Sequence, residues 1–258
     1  MHHLFWSGPH KPNWGDILNI QLYREITGED PIWKDYNSKE SYYMSIGSIL
    51  EKATPHSIIW GSGFMYEDGV VKSRPLGKRF TVNAVRGPLS REKLLEQGIP
   101  CPEVYGDPAL LYPKFYNPKN VQKKYKYGII PHYADWDHML VEQWKDKENE
   151  GVKVINILSE DVNDFVDQVL ECEIILSSSL HGIICGDAYG IPSYWIKLSD
   201  LVLGDGFKFR DYFASVDRLE NDPIEWNGSF KYLKLDNYSI NIDLDKLLDA
   251  CPYKKDFI

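Results

Sequence analysis

The segment EIILSSSLHGIICGDAYGIPSYWIKLS, residues 173–199, carries the pattern that decides the fold. Its apolar run at 173–179 predicts a buried strand, and the glycine-punctuated stretch at 180–190 predicts a helix. Residues 192–199 return to strand character. A strand, a helix and a second strand joined this closely form a crossover unit, which predicts two neighbouring parallel strands.

The same alternation extends outward over both halves of the chain. Further strands are predicted at 2–7, 42–47, 56–64, 79–87, 127–133 and 152–158, and further helices at 13–28, 48–53, 87–99, 135–151 and 159–172. A proline- and lysine-containing segment at 112–126 predicts an interdomain linker. We therefore predict an α/β protein with two Rossmann-like domains, 1–117 and 118–215, that face each other across a cleft. The tail at 216–258 is predicted to pack back on this body.

Composition excludes several classes of function. The chain has 258 residues, of which 43% are hydrophobic and 26% charged, as expected of a globular protein. Its net charge of −9 argues against nucleic-acid binding, which needs a basic face, but leaves room for one local basic pocket. We see no signal peptide and no apolar run long enough to span a membrane. Peripheral contact with a membrane stays open.

The four cysteines indicate the compartment. Their spacing does not match that of metal ligands, and two of them lie within apolar patterns. Reduced, buried thiols are therefore predicted, which favours a cytoplasmic protein, with the inner face of the membrane as an open alternative. The positions are Cys101, Cys172, Cys185 and Cys251.

His181 occupies the position that most favours chemistry. In open parallel sheets, ligands bind at the carboxyl ends of strands, and His181 follows a buried strand and three serines. A histidine there, with its pKa near neutral pH, could transfer a proton. It could instead be a core residue whose hydrogen bonds are satisfied within the protein. The hydroxyls of Ser178 and Ser179, together with the first amides of the helix, suit a phosphate oxygen.

Three more loops place polar residues at strand ends. Asn13 and Asp16 flank a glycine at the start of a helix, where they would bind a ligand or simply cap the helix. Arg86 follows an alternating strand and could grip a phosphate or carboxylate, or form a structural ion pair. His132 follows another strand, as a ligand-facing base or a structural hydrogen-bonding group.

Three cations follow the histidine helix. Lys197 closes the next strand, and Lys208 and Arg210 lie in the aromatic segment GDGFKFRDYF at 204–213. A solvated basic pair is the alternative for the last two.

The ordered motifs resemble one known family. NWGD, WGSG, VRGPLS, YGDPALL, IPHY and SSSLHGIICGDAYGIP followed by lysine resemble the polysaccharide pyruvyl transferase family over roughly residues 4–215. The resemblance implies a fold similar to GT-B glycosyltransferases, with the donor in the second domain. It implies phosphoenolpyruvate as the donor, and as the acceptor a sugar of a surface-polysaccharide precursor, such as a lipid-linked oligosaccharide. The product would be a cyclic pyruvate ketal, with phosphate released. Neither a metal nor a resident cofactor is expected.

The resemblance also implies roles for single residues. Arg86 and His181 match donor-binding positions of the family, and Asn13 and Lys197 look equivalent to two others. Ser179 stands where many members have arginine. One positive charge on the donor is then missing, or it is supplied by Lys197, Lys208 or Arg210.

These observations combine into a mechanistic hypothesis. His181 acts as general acid or stabilises the departing phosphate, Arg86 clamps the donor, and Asp16 or His132 deprotonates the acceptor hydroxyl. Two other functions stay open: a nucleotide-sugar glycosyltransferase of the same architecture, and a non-catalytic glycan-binding assembly factor.

Overall fold

The computed structural model describes residues 3–7, 12–72, 80–231 and 233–254. Over these residues the chain is an α/β protein with two five-stranded sheets, in which neighbouring strands are parallel. The first sheet contains β1 His3–Phe5, β2 Ile32–Trp33, β3 Tyr42–Met44, β4 Ser57–Trp60 and β5 Thr81–Ala84. The second contains β6 Tyr125–Ile130, β7 Val152–Val154, β8 Cys172–Ser177, β9 Ser193–Lys197 and β10 Ile224–Glu225. The predicted α/β class is confirmed, and the two sheets are consistent with two Rossmann-like domains.

The helices of the described chain connect these strands. They are α1 Trp14–Thr27, α2 Pro88–Glu96, α3 Met139–Glu142, α4 Val162–Leu170, α5 Leu180–Ala188, α6 Phe207–Ser215 and α7 Leu244–Asp249. The helix predicted at 13–28 is confirmed. Asn13, rather than Asp16, caps it by accepting a hydrogen bond from the amide of Gly15. Gly28 ends it with a left-handed φ of 71°, a conformation that glycine adopts without strain.

The single long helix predicted at 135–151 is wrong. The segment instead contains a 3₁₀ turn at Tyr133–Asp135, the short α3, and a second 3₁₀ turn at Glu148–Glu150. The carboxylate of Asp135 is buried and accepts a hydrogen bond from the Ser178 hydroxyl at 2.7 Å, so this part of the chain is fixed from outside the segment. The run at 145–150 is entirely polar and offers no apolar face for a helix to bury.

Two further segments gain a definite local structure. The aromatic segment at 204–213 forms most of α6, because Phe207, Phe209 and Phe213 are buried on it. The predicted linker at 112–126 begins inside a 3₁₀ helix, Pro108–Lys114, whose Tyr112 is buried in the largest apolar cluster.

The apolar core runs through both halves of the chain. Trp14 of α1 stacks on Phe165 of α4 with ring centroids 5.2 Å apart. The indole of Trp60 in β4 donates a hydrogen bond to the carbonyl of Leu247 in α7 at 2.8 Å, so the tail lies against the first sheet. The same tail also supplies β10 to the second sheet. The boundaries at 117 and 215 stay a prediction.

Both sheets have the same strand order. The first reads β2-β1-β3-β4-β5 and the second β10-β9-β8-β6-β7, so in each the first strand in sequence lies between the second and the third. The strand order therefore reverses between β1 and β3 in the first sheet, and between β6 and β8 in the second. Crevices form at the carboxyl ends of such strand pairs, and ligands of open α/β sheets bind there.

Two sequence-based expectations can be compared directly with the structure. All four cysteines are free and buried, which confirms the predicted thiols. Of the helices in the described ranges, none combines the length and the apolar character that a membrane crossing requires.

Candidate active site

A cavity of about 150 Å³ lies where the two crevices meet. Its wall comes from the loops that follow β1, β3, β6 and β8, and from the first turns of α1 and α6. The polar residues of this wall are Ser7, Asn13, Asp16, Ser48, His132, Ser179, His181 and Lys208. The structure thus brings together residues from five separate segments of the sequence.

Asn13 fixes the protonation of the His181 ring. The Asn13 Oδ1 accepts a hydrogen bond from the amide of Gly15 at 3.1 Å, and the His181 Nδ1 lies 2.9 Å from the same oxygen. Because that oxygen can only accept, Nδ1 must carry the proton. The neutral ring therefore has its lone pair on Nε2.

The surroundings of His181 keep it neutral. Burial, together with the nearby charges of Lys208 and Arg86, lowers the pKa of His181 from 6.5 to about 3. The unliganded protein thus holds a proton-accepting Nε2 at physiological pH. An anion bound in the cavity would raise this pKa by favouring the imidazolium.

His132 has the opposite tautomer. Its Nδ1 accepts a hydrogen bond from the amide of Ala134 at 3.2 Å, so in the neutral ring the proton lies on Nε2. Burial, with the charge of Lys208, lowers the pKa of His132 to about 4. His132 is therefore a hydrogen-bond donor at Nε2, and its remaining lone pair is already used by the backbone.

Lys208 is a buried cation that faces the cavity, and the nearby carboxylate of Asp135 favours its charged form. It is 6% exposed, and no described side chain or carbonyl forms a hydrogen bond or an ion pair with its ammonium group. Burial and the charge of Arg86 lower the pKa of Lys208 to about 8, so it remains charged at neutral pH. An unpaired buried charge is costly, and a bound anion would remove this cost.

Of the residues that the structure describes, Asp16 is the one with a carboxyl group that lines the cavity. Burial raises the pKa of Asp16 to about 7, against an opposing effect of the Lys52 charge. Its side chain can therefore accept or release a proton near neutral pH.

The serines at the start of α5 divide into two roles. The Ser178 hydroxyl donates to Asp135 and accepts from the amide of His132 at 2.9 Å, so it holds the β6 and β8 loops together. Ser179 caps α5 through its backbone, and its hydroxyl has no partner among the described residues. The free hydroxyl and the N-terminus of α5 both meet the cavity at Ser179.

Arg86 lies behind the wall of the cavity. Its side chain is 1% exposed and binds Asp211 of α6 through Nε at 3.0 Å and Nη2 at 2.9 Å. Nη2 also donates to the carbonyl of Phe64. Nη1 donates to the hydroxyl of Ser48, which lines the cavity, so Arg86 reaches the site through Ser48.

Lys197 and Arg210 lie outside the cavity that contains His181. Lys197 forms ion pairs with Asp200 at 2.8 Å and Glu225 at 3.8 Å, and Arg210 donates to the carbonyl of Asp205 at 2.9 Å. Both line a second cavity at the end of β9. Of the three cations considered as a replacement for the absent arginine, only Lys208 reaches the cavity of His181.

Sequence reasoning missed three supporting residues. Ser48 follows β3 and begins the helix predicted at 48–53. Asp135 lies in a segment whose local structure was wrongly predicted, and Asp211 lies in one for which none was assigned. Asp135 could have been found as an acidic residue in the loop after β6. Asp211 had no signal, because its partner Arg86 is 125 positions away.

We expect Gly15→Ala to disable the site. A Cβ on Gly15 would lie 2.2 Å from the His181 ring, so the ring would be displaced from Asn13. Overpacking of this kind costs about 1–3 kcal/mol. Thermal unfolding and turnover together measure the effect. Gly98→Ala is the matched control, because a Cβ there meets open space and only its φ of 69° is strained. Wild-type turnover in Gly15→Ala would contradict the assignment.

Comparison with known proteins shows the family of this chain. The profile of the family "Polysaccharide pyruvyl transferase" matches residues 26–200. The uncharacterized protein L143 of Acanthamoeba polyphaga mimivirus is 31% identical over 225 residues, which are 81% of this chain and 73% of that protein. The succinoglycan biosynthesis protein ExoV of Rhizobium meliloti (strain 1021) is 27% identical over 218 residues, 82% of this chain and 64% of that protein. No solved structure matches. The chain belongs to the polysaccharide pyruvyl transferase family.

Proposed function

We propose that this protein transfers the pyruvyl group of phosphoenolpyruvate to a sugar of a polysaccharide precursor, forming a cyclic ketal. The observation that carries the proposal is the buried Lys208, which forms no ion pair with the described residues, in a cavity with two neutral histidines and the start of α5. Phosphoenolpyruvate carries a carboxylate and a phosphate, which require such a cation. The relative from Rhizobium meliloti is named for succinoglycan biosynthesis, which agrees with a polysaccharide precursor as acceptor.

The chemistry balances without a further reactant. One sugar hydroxyl adds to C2 of the enol, and a proton is delivered to the methylene carbon, which becomes a methyl group. A second hydroxyl of the same sugar then replaces the phosphate at C2. The products are the ketal and inorganic phosphate.

The protonation states of the cavity fit these two steps. The neutral Nε2 of His181 accepts the proton of the attacking hydroxyl, while the charge of the bound donor favours the imidazolium. The resulting imidazolium is a strong acid and delivers a proton to the methylene carbon. Asp16, whose pKa is about 7, accepts the proton of the second hydroxyl.

Other residues hold the donor. Lys208 pairs with the phosphate or carboxylate, and His132 donates from Nε2 to the same anion. Ser48, supported by Arg86, and Ser179 supply neutral hydrogen bonds. This arrangement assigns His132 to binding rather than to proton abstraction, and Arg86 to positioning.

The wider setting is part of the same proposal. Two parallel sheets that face each other with their carboxyl ends agree with a GT-B-like fold. The acceptor is proposed to be a sugar of a lipid-linked oligosaccharide, handled at the cytoplasmic face of a membrane.

Ligand-induced stabilisation and mass spectrometry test the function. We expect phosphoenolpyruvate to raise the melting temperature, since a ligand that binds only the folded state stabilises it. Incubation with lipid-linked or nucleotide-linked sugars should give products heavier by one pyruvate less one water. Stabilisation by nucleotide sugars but not by phosphoenolpyruvate, with hexose transfer, would identify a glycosyltransferase instead.

Affinity for phosphoenolpyruvate is expected to fall as the pH rises from 7 to 9. Above pH 7 the phosphate is already fully ionised, because the second pKa of a phosphate monoester is about 6. Above pH 7 the charge therefore changes in the cavity and not on the ligand. Asp16 becomes negative above its pKa of about 7, and Lys208 loses its charge above its pKa of about 8. Both changes weaken anion binding, by up to about tenfold per pH unit for each proton taken up.

Calorimetric titration in buffers of different ionisation enthalpy measures this uptake. Asp16→Asn should flatten the part of the curve near pH 7 and leave the part near pH 8. An affinity that is constant from pH 7 to 9 would contradict the assignment of both groups.

A further inference from the structure

A second cavity adjoins the first at the end of the second sheet. It measures about 260 Å³ and is formed by the end of β9, the loop at 199–206 and the first turn of α6. Ser178 lines this cavity and Ser179 lines the first, and along α6 Lys208 lines the first while Phe209 and Arg210 line the second. One peptide of the β8 loop and one turn of α6 therefore separate the two cavities.

An aromatic pair gives this cavity a flat apolar side. Trp195 stacks on Phe209 with centroids 4.3 Å apart and ring planes within 7°. Phe209 is buried, whereas Trp195 is half-buried and lines the cavity. The indole N–H of Trp195 has no hydrogen-bond acceptor among the residues the structure describes. An aromatic ring that is apolar on its face and polar at its edge suits a ligand with the same division.

The loop at 204–206 is shaped around Trp195. Gly204, Asp205 and Gly206 all have positive φ, of 104°, 44° and 76°. A Cβ at Gly206 would lie 2.5 Å from the Trp195 ring, so only glycine allows this approach. The two glycines adopt positive φ without strain, and Asp205 is the one non-glycine residue of the three in this conformation. Such a backbone persists where the surroundings fix it, and it often marks a binding site.

The charges of the rim exclude an anion. Among the described residues, three carboxylates line the cavity, those of Asp200, Asp205 and Asp222, together with two cations, Lys197 and Arg210. Lys197 is already paired with Asp200 at 2.8 Å. A phosphate or a second donor molecule would be repelled, whereas hydroxyl groups can donate to the carboxylates and accept from the cations.

We propose that this second cavity is the acceptor subsite, and that it binds one neutral pyranose unit of the acceptor saccharide. The C–H face of the ring lies against Trp195, and its hydroxyls bind Arg210 and the acidic rim. The volume of about 260 Å³ is below the roughly 300–1,000 Å³ of sites for drug-sized ligands, which suits a single sugar unit. This inference rests on the proposed function, because it places the acceptor beside the donor cavity.

Saccharide binding tests the subsite without any turnover. The probes are lactose, cellobiose and maltose, each at about 20 mM, above the weak end of the usual affinity scale. Saturation-transfer NMR should show binding of at least one of them to the wild type. Trp195→Leu and Arg210→Gln should each raise its Kd at least about tenfold, a factor that one lost contact of ordinary strength produces. Melting temperatures identify any variant that has lost its fold, and Arg210→Gln removes no buried apolar surface.

Control variants and donor binding distinguish a failure of the subsite from a failure of the proposed function. Trp33→Leu and Arg24→Gln change an exposed tryptophan and an exposed arginine elsewhere, and should leave saccharide binding unchanged. The stabilisation by phosphoenolpyruvate should persist in Trp195→Leu. If phosphoenolpyruvate does not stabilise the wild type but saccharide binding still depends on Trp195, the proposed donor is wrong and the subsite is retained.

Three results would overturn the subsite itself. They are no binding of any of the three disaccharides to the wild type, equal binding to the wild type and both variants, and Trp195-dependent binding of uridine diphosphate. The last result would assign the cavity to a nucleotide.

Discussion

Lys208→Met is expected to abolish phosphoenolpyruvate binding and at the same time to stabilise the protein. Loss of one partner of a buried charge pair costs about 2–5 kcal/mol of binding, so the Kd should rise about 30-fold or more. Stability should change in the opposite direction. The lowering of the Lys208 pKa from 10.5 to about 8 corresponds to a folding penalty of about 3 kcal/mol, which methionine does not carry.

The stability gain should depend on pH in a defined direction. Below pH 8, Lys208 is charged in both the folded and the unfolded state, and the wild type carries the whole penalty. Between pH 8 and 10.5 it is neutral only when folded, so the unfolded state binds more protons and wild-type stability rises with pH. The advantage of Lys208→Met is therefore largest below pH 8 and shrinks towards pH 10.5.

Calorimetry and chemical denaturation measure the two effects. Lys153→Met is the matched control, because Lys153 is a half-buried lysine that is paired with Glu171 at 3.4 Å. This control should keep donor binding and gain no stability. Wild-type affinity for phosphoenolpyruvate in Lys208→Met would remove the main support for the proposed function.

His181→Gln is expected to lower turnover by about 10²–10⁴-fold, the usual range for loss of a general acid–base group. Donor affinity should change little, because the neutral His181 contributes no charge to the free cavity. Phosphate release in the presence of donor and acceptor measures turnover, and calorimetry measures donor binding. Asn13→Asp offers a second readout: a carboxylate on Nδ1 would raise the pKa of His181, and the pH profile of turnover should shift to higher pH.

His138, whose backbone hydrogen bond is like that of His132, provides the control. His138 accepts a hydrogen bond from the amide of Leu140 through Nδ1, as His132 does from Ala134, but it lies outside the cavity. His138→Gln should therefore keep wild-type turnover. Turnover of His181→Gln within a few-fold of the wild type would show that the proton moves through another group.

The local pattern of the chain was sufficient to predict most of the fold. Apolar runs of strand length, alternating with amphipathic stretches, identified both sheets and α1, α2, α4 and α5, since period and capping are properties of neighbouring residues. The predictions failed where contacts between residues distant in sequence determine the local structure. Residues 135–151 looked helical, but buried Asp135 is fixed by Ser178, 43 positions away.

The sequence by itself determined the family, the two-sheet architecture and the loops that carry the polar groups, because these depend on residue order. Only the tertiary structure decided which of these groups meet. It separated Lys208 from Lys197 and Arg210, occupied Arg86 with Asp211, and placed Asn13 against His181 across 168 positions. The reason is physical: charge, tautomer and pKa are set by burial and by neighbours in space, which local sequence patterns do not show.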